Sequence, residues 1–138
     1  EDFRNYQQQV QKNARAMADA FIQDGYKVVS GGTDNHSMLI DLRSKVEDIT
    51  GKQVENTLVE ADITINKNMV PFDTRSPFQT SGFRVGTPAI TSRVVKEEQI
   101  PEIVQFMDEV IMNIDDPNAI QRVRKKVNEL MSDYPMFA

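Results

Sequence analysis

Arg84 is the side chain whose surroundings most strongly indicate chemistry in this sequence. It follows a Thr-Ser-Gly turn at 80–82 and stands between Phe83 and Val85 in a short apolar stretch. A guanidinium among apolar neighbours needs a partner, because an unpaired buried charge is costly. Its planar fork of N–H donors matches a carboxylate. Spacing alone leaves three partners open: the carboxylate of a ligand, a nearby Asp or Glu, and solvent.

Residues 67–82 form the longest stretch without hydrophobic periodicity. A loop of this length inside a compact domain is uncommon and is usually functional or disordered. Pro71 and Pro77 stiffen it, and Phe72 and Phe78 are predicted to be its apolar anchors, which favours an ordered loop. Its amide, hydroxyl and aromatic groups suit a flat heteroaromatic ligand. The residues by themselves favour the alternative, an ordinary surface loop packed by its phenylalanines.

The composition excludes several other chemistries. The chain has no cysteine and a single histidine, His36. Disulfides, thiolate catalysis and Cys-ligated zinc are therefore excluded, and a His-based metal cage or a Ser-His-Asp triad has almost no material. We interpret His36 as a loop residue rather than a general base. The net charge of −5 disfavours a nucleic-acid or anionic-membrane binder. No apolar run is long enough to span a membrane. Taken together, these features predict a reduced, cytoplasmic, metal-free domain.

Four helices are predicted from apolar residues that recur at spacings of three and four. The first begins at the start of the chain without a cap, which predicts that the chain continues a longer protein. The signals that delimit the helices are Gly25 as a C-cap, a capping box of Thr50 and Gln53, a start between Glu97 and Pro101, and Asp116 with Pro117 at the last N-terminus.

The same spacing predicts which helix positions are buried. For the first helix these are Phe3, Tyr6, Val10, Ala14, Met17, Ala18, Phe21 and Ile22, with Asn13 among the polar residues of the opposite side. For the third they are Ile103, Val104, Met107, Val110, Ile111 and Ile114, and for the fourth Ile120, Val123, Val127, Leu130 and Met131.

Short strands are predicted in the first two-thirds of the chain. Residues 26–30 and 38–42 are apolar or β-branched and flank the turn-forming segment 31–36, which predicts a hairpin. Further strands are predicted at 63–66 and 83–86. Helices that flank a small sheet define an α+β or two-layer α/β class, and 138 residues suit one domain.

Several ordered motifs resemble serine hydroxymethyltransferase. They are Val-Val-Ser-Gly-Gly-Thr-Asp-Asn-His at 28–36, Asn-Lys-Asn at 66–68, Arg-Ser-Pro-Phe at 75–78 and Thr-Ser-Gly-Phe-Arg-Val-Gly-Thr-Pro-Ala at 80–89, with Tyr-Gln-Gln-Gln-Val at 6–10 and Tyr-Pro at 134–135. The resemblance covers essentially the whole chain. Small departures from the family pattern occur at Ser37, Phe83 and Val94.

The resemblance implies a pyridoxal-phosphate enzyme of fold type I. This family interconverts serine and tetrahydrofolate with glycine and methylenetetrahydrofolate. By position in the motifs, Arg84 would bind the substrate carboxylate and Asn68 would contact the folate pterin. Ser76, Pro77 and Phe78 would contribute to the folate site. The motif of the Schiff-base lysine is absent from the chain, so the resemblance assigns it no catalytic residue.

The resemblance also implies how the chain fits into a larger protein. Residues 1–138 would form one C-terminal small domain, with a mostly antiparallel sheet, whose large cofactor-binding domain is not part of this sequence. The domain would be inactive alone and would belong to a homodimer or homotetramer. We further expect an exposed apolar patch, including much of the first helix, where the large domain packs. The alternative is a stand-alone binding or regulatory module that kept the fold without the chemistry.

Overall fold

The computed structural model describes residues 2–29, 37–46, 48–86 and 98–132. Four α-helices lie in this part of the chain: α1 (Asp2–Gln23), α2 (Gly51–Glu60), α3 (Ile100–Met112) and α4 (Pro117–Ser132). A 3₁₀ turn, η1 (Leu42–Ser44), follows the second of four strands, which are β1 (Lys27–Val28), β2 (Ser37–Asp41), β3 (Asn66–Asn68) and β4 (Gly82–Gly86). The predicted α+β class is confirmed.

The four strands form one antiparallel sheet in the order β1-β2-β4-β3. Val28 pairs with Ile40, which confirms the predicted hairpin of the first two strands. β4 pairs with β2 on one side and β3 on the other, so that Arg84 is opposite Leu39 and Asn66. A strand paired on both edges has its backbone hydrogen bonds satisfied along both neighbours, and β4 is therefore a rigid support for its side chains.

Helices cover one face of this sheet. Met38, Ile40, Phe83 and Val85 are buried and join a single core cluster with apolar residues of the helices. The ring of Phe83 contacts Phe21 of α1 edge-on, at a centroid distance of 6.0 Å. Side chains alternate between the two faces of a strand, so the residues between these buried ones lie on the other face.

The buried face of α1 differs from the predicted one, most clearly at Ile22 and Asn13. Ile22 is 49% exposed, and Asn13 is fully buried. The buried rows include Asn13, Met17 and Ala20, which are spaced by four and three, so the contact stripe extends to that side of the helix and away from Ile22. The buried Asn13 Oδ1 accepts a hydrogen bond of 2.9 Å from the Gln9 side chain. The predicted burial of Val10, Ala14, Met17, Ala18 and Phe21 is confirmed.

Other sequence predictions need smaller corrections. β3 lies at Asn66–Asn68, not at 63–66, so the aperiodic loop begins at Met69. Leu130 and Met131 are only partly buried, and Ile114 is partly buried beyond the end of α3. The expectations for His36 and the 31–36 turn, for Val94, and for the Tyr-Pro pair at 134–135 fall outside the described residues.

The helix boundaries follow the predicted capping signals. Gly25 has φ +96°, as its C-cap role requires. α3 begins at Ile100 with Pro101 in its first turn. The Asp116 carboxylate accepts hydrogen bonds from the backbone N–H groups of Asn118 and Ala119. None of the helices in the described ranges is both long and apolar enough to cross a membrane.

The capping box at the start of α2 gives a first testable prediction. The Thr50 hydroxyl accepts from the Gln53 N–H at 3.1 Å, and the Thr50 N–H donates to Gln53 Oε1 at 2.9 Å. We expect Thr50→Ala to lower the free energy of unfolding by about 1 kcal/mol, because one helix N–H loses its acceptor. Urea denaturation followed by circular dichroism measures this. Lys52→Ala, at an exposed position of the same turn, is the control, and equal stability of the two variants would contradict the prediction.

Candidate functional site

Arg84 projects from the face of the sheet that the helices leave open. Its side chain is exposed, whereas its neighbours Phe83 and Val85 are buried in the core. Residues directly opposite in an antiparallel pair share a face, so Leu39 and Asn66 flank Arg84 on this open face. The fold therefore places the guanidinium where a ligand or another domain can reach it.

Asn68 lies beside Arg84 on the same face. It is two residues beyond Asn66 on β3 and opposite Gly82 of β4. Arg84 Nε donates to Asn68 Oδ1 at 3.5 Å, and Asn68 Nδ2 donates to the Met69 carbonyl at 2.8 Å. The second bond fixes which way the amide is turned. The two residues that the resemblance assigns to carboxylate and pterin binding thus lie in contact.

Ser76, Pro77 and Phe78 lie on a separate turn, and all three are exposed. The Ser76 carbonyl accepts from the N–H groups of Gln79 and Thr80, which closes the turn. The carbonyls of Gln79 and Thr80 in turn accept from Lys52 and Gly51 in the first turn of α2. The turn is therefore supported by the N-terminus of a helix whose own cap is complete.

The predicted role of the loop phenylalanines is wrong. Phe72 is 95% exposed and Phe78 is 77% exposed, so neither ring holds the loop to the core. The buried apolar residue of this loop is Val70. A Cβ built on Gly82 would come within 2.5 Å of Val70 Cγ1, which means that Val70 packs directly over Gly82. The loop therefore crosses the open face of the sheet next to Asn68.

Polar contacts hold this loop instead, and Asp73 is their centre. Its carboxylate accepts from the Ser81 hydroxyl at 2.7 Å, from the N–H groups of Ser81 at 2.8 Å and Arg75 at 2.9 Å, and from the Val70 N–H at 3.3 Å. Burial on its own would raise the pKa of Asp73, but these hydrogen bonds to the charged form outweigh it and lower the pKa to about 2. The ionised carboxylate joins the two ends of the loop.

This predicts acid sensitivity of the loop. The folded-state pKa of Asp73 is depressed from 3.8, so its stabilisation is complete above pH 4 and is lost as the pH falls toward 2. We expect about 1–2 kcal/mol to be lost in that window, allowing for partial solvent screening. Asp73→Asn removes this pH-dependent part of the free energy of unfolding, whereas Asp19→Asn, on the exposed face of α1, leaves it unchanged. Urea denaturation at pH 4 and pH 2.5 measures it, and identical pH profiles for wild type and Asp73→Asn would refute the assignment.

Two arginines complete the support, and the sequence reasoning missed both. Arg75 Nη1 donates to Ser81 Oγ at 3.1 Å and to the Ile49 carbonyl at 3.4 Å. Arg43 donates to the Asp41 carboxylate through two side-chain nitrogens and also donates to the carbonyls of Pro71 and Phe72 in the loop. The Asp41-Leu-Arg43 spacing at a strand end was a local signal for the ion pair. The loop contacts join residues 28 and 29 positions apart and have no sequence signature.

Burial and Arg43 act in opposite directions on the Asp41 carboxylate. Asp41 is 4% exposed, and this burial alone would raise its pKa. The hydrogen bonds from the side chain and backbone of Arg43 outweigh it, so the pKa of Asp41 is lowered. The pair is therefore charged over the whole neutral range.

The donors of the open face fit an amino acid and a heteroaromatic ring. A guanidinium suits a carboxylate, and an amide suits the ring nitrogens and carbonyl of a pterin. Neither group can bond covalently to the aldehyde of pyridoxal phosphate, which requires an amine. In the described parts of the chain, no three His, Cys, Asp or Glu side chains are grouped so that they could hold a metal ion.

The exposed apolar residues lie elsewhere than predicted. Among the side chains described in α1, Ile22 is the large apolar one that is exposed, so the expectation that much of the first helix is bare and apolar is wrong. The outer surface of this helix carries polar residues such as Gln8, Lys12 and Arg15. Of the other exposed large apolar side chains in the described ranges, Met69, Phe72 and Phe78 lie on the loop, and Val59 and Met112 lie in α2 and at the end of α3.

The described residues form an α+β domain in which Arg84 and Asn68 contact each other on the open face of the sheet. The family model described as serine hydroxymethyltransferase matches residues 1–107. Because the match includes 107 of the 138 residues, the chain belongs to the serine hydroxymethyltransferase family, which is a family of transferases. The match ends within α3 and includes all four described strands, and the observed architecture agrees with the C-terminal domain of a fold-type I enzyme.

Proposed function

We propose that this chain is the C-terminal small domain of a pyridoxal-phosphate-dependent serine hydroxymethyltransferase. Together with a large cofactor-binding domain, it would interconvert serine and tetrahydrofolate with glycine and 5,10-methylenetetrahydrofolate. The observation that carries the proposal is the exposed Arg84 in contact with Asn68, on the open sheet face of a chain that belongs to this family.

Arg84 is proposed to bind the carboxylate of serine or glycine. Its side chain stands on a strand that is hydrogen-bonded on both edges, so the guanidinium starts from a fixed backbone. Two N–H donors can bind the two carboxylate oxygens and thereby set the orientation of the amino acid. Holding a reactant in one orientation removes entropy cost from the reaction step.

The folate would bind along the loop that follows β3. Asn68 offers amide groups to the pterin, and the turn of Ser76, Pro77 and Phe78 offers a hydroxyl and an exposed ring. The contact between Asn68 and Arg84 supports this arrangement, because a one-carbon group passes between two substrates that must lie side by side. Asp73 and Arg75 keep the loop in one conformation before folate arrives.

The cofactor would be held by residues outside this chain. Bound pyridoxal phosphate supplies an electron sink for charge that develops at the α-carbon of the amino acid. The chain's own contribution is binding and orientation of substrates at Arg84 and Asn68. We therefore propose that residues 1–138 are inactive alone, and that the complete protein acts in the cytoplasm as a homodimer or homotetramer, as the resemblance implies.

The test is the assay of the full-length product of the gene beside the isolated 1–138 chain. With serine, tetrahydrofolate and pyridoxal phosphate, we expect the full-length protein to form glycine and methylenetetrahydrofolate and the isolated chain to form neither. Turnover by the isolated chain would contradict the assignment of the cofactor site. A full-length protein that binds folate without any turnover would favour the alternative of a binding or regulatory module.

A further inference from the structure

Arg43 makes contacts that an ion pair alone would not require. Its Nε and Nη2 donate to the two oxygens of Asp41 at 3.1 and 2.8 Å. Nη1 donates to the Phe72 carbonyl at 3.1 Å, and Nη2 donates to the Pro71 carbonyl at 3.1 Å. One guanidinium therefore joins the end of β2 to two consecutive carbonyls of the loop.

Asp41, the carboxylate partner of Arg43, lies in the same row of the sheet as Asn68. Asp41 pairs with Gly82, and Gly82 pairs with Asn68, so the three residues lie side by side across the strands. Val70 packs over Gly82 in the middle of this row. The segment from Asn68 to Phe72 thus crosses the open face, and Arg43 holds its far end.

The backbone held by Arg43 is in a conformation that a phenylalanine rarely adopts. Phe72 has φ +60°, a region that disfavours bulky side chains, and its ring is 95% exposed and gains no packing in return. The next residue, Asp73, is fixed by its own carboxylate, which accepts from the Val70 and Ser81 N–H groups. The Asp73 N–H donates to the Val70 carbonyl at 3.0 Å and closes a turn over Pro71 and Phe72. The hydrogen bonds from Arg43 to the Pro71 and Phe72 carbonyls add to the contacts that hold this position.

We propose that Arg43 is a positioning residue for folate: by holding the Pro71 and Phe72 carbonyls against Asp41, it fixes the segment that carries Asn68. This inference deepens the proposed function and rests on it. Lysine cannot replace arginine in this role, because its single nitrogen carries three N–H donors and cannot make the four hydrogen bonds that the three guanidinium nitrogens make. Arg84, the proposed carboxylate-binding residue, is positioned by its own strand β4, which pairs with β2 and β3, and it also contacts Asn68 at 3.5 Å.

The experiment compares Arg43→Lys with wild type and with Arg124→Lys in the full-length protein. Arg124 is a matched control, because it also pairs with an aspartate, Asp62, at 3.0 Å, but on the exposed surface of α4. We expect Arg43→Lys to raise the KM for tetrahydrofolate about five- to twentyfold. The Kd for glycine should stay within about twofold of wild type, because glycine is proposed to bind Arg84 and not the loop that Arg43 contacts. An unchanged folate KM, or an equal loss of glycine binding, would overturn the proposal.

A second measurement separates this inference from the proposed function. Hydrogen–deuterium exchange of peptides covering residues 69–80 should be faster in Arg43→Lys than in wild type or Arg124→Lys, with α3 unchanged. Equal exchange in all three proteins would refute the positioning role even if no folate activity exists. If wild type lacks folate-dependent turnover but the exchange differs, the proposed function fails while the hold of Arg43 on the loop stands. Arg43→Gln, measured in the same way, serves if the lysine variant does not fold.

Discussion

Replacing Arg84 with alanine in the full-length protein is expected to lower kcat/KM for serine by about 100- to 1,000-fold. Removing one partner of a hydrogen-bonded charge pair costs about 3–4 kcal/mol, and each ~1.4 kcal/mol is a factor of ten in rate. The folding stability should change little, because the side chain is exposed and projects away from the core. Steady-state kinetics with serine at saturating tetrahydrofolate measures the effect.

A lysine at position 84 sharpens this test. Arg84→Lys keeps the positive charge but loses the planar fork, so we expect its kcat/KM for serine to be about 10- to 100-fold below the wild-type value. Arg122→Ala, which removes an exposed arginine from α4, is the control for net charge and should retain the wild-type kcat/KM. Wild-type values for Arg84→Ala would exclude Arg84 from the substrate site and remove the main support of the proposed function.

Gly51→Ala is expected to be the most destabilising small substitution at the site. A Cβ at this position would lie 2.1 Å from Thr80 Oγ1 and 2.2 Å from the Gly82 carbonyl oxygen. Neither atom can move easily, because Thr80 Oγ1 donates to the same Gly82 carbonyl at 2.8 Å and Thr80 itself has φ +60°. We expect a loss of about 3 kcal/mol or more in the free energy of unfolding, at the upper end of the range for overpacking. Urea denaturation measures it.

Gly25→Ala provides the matched comparison for Gly51. Gly25 has φ +96°, but a Cβ there would meet nothing closer than Lys45 Cδ at 3.7 Å. Its cost is backbone strain alone, about 1–2 kcal/mol. A Gly51→Ala variant no less stable than Gly25→Ala would show that the loop end can move away from α2, and that the turn at 76–78 is less firmly supported than its contacts indicate.

Features that depend on a few neighbouring residues could be predicted from the sequence. The capping box of Thr50 and Gln53 and the cap at Asp116 are determined by side chains that reach backbone groups two or three residues away. The alternation of Phe83, Arg84 and Val85 likewise determines that Arg84 and its neighbours face opposite sides of a strand. The contact of Arg84 with Asn68 could not be predicted, because Asn68 is 16 residues away in the chain.

The loop shows where local reasoning fails. Phenylalanines are usually buried, and this expectation is wrong for Phe72 and Phe78 because nothing in their sequence neighbourhood reports the space around them. Asp73 and Arg43 hold the loop through groups that only folding brings near: Asp73 reaches Ser81 eight residues on, and Arg43 reaches carbonyls on another element. Likewise, the burial of Asn13 depends on which side of α1 meets the rest of the core.

By itself, the sequence determined the α+β class, most helix limits and the family, because periodicity, caps and ordered motifs are local or linear properties. Only the tertiary structure decided that Arg84 and Asn68 meet on an open sheet face, that two phenylalanines remain in solvent, and that Arg43 and Asp73 hold the loop between them. These outcomes depend on distances between residues far apart in the chain, which exist only once the strands are paired and the core is packed.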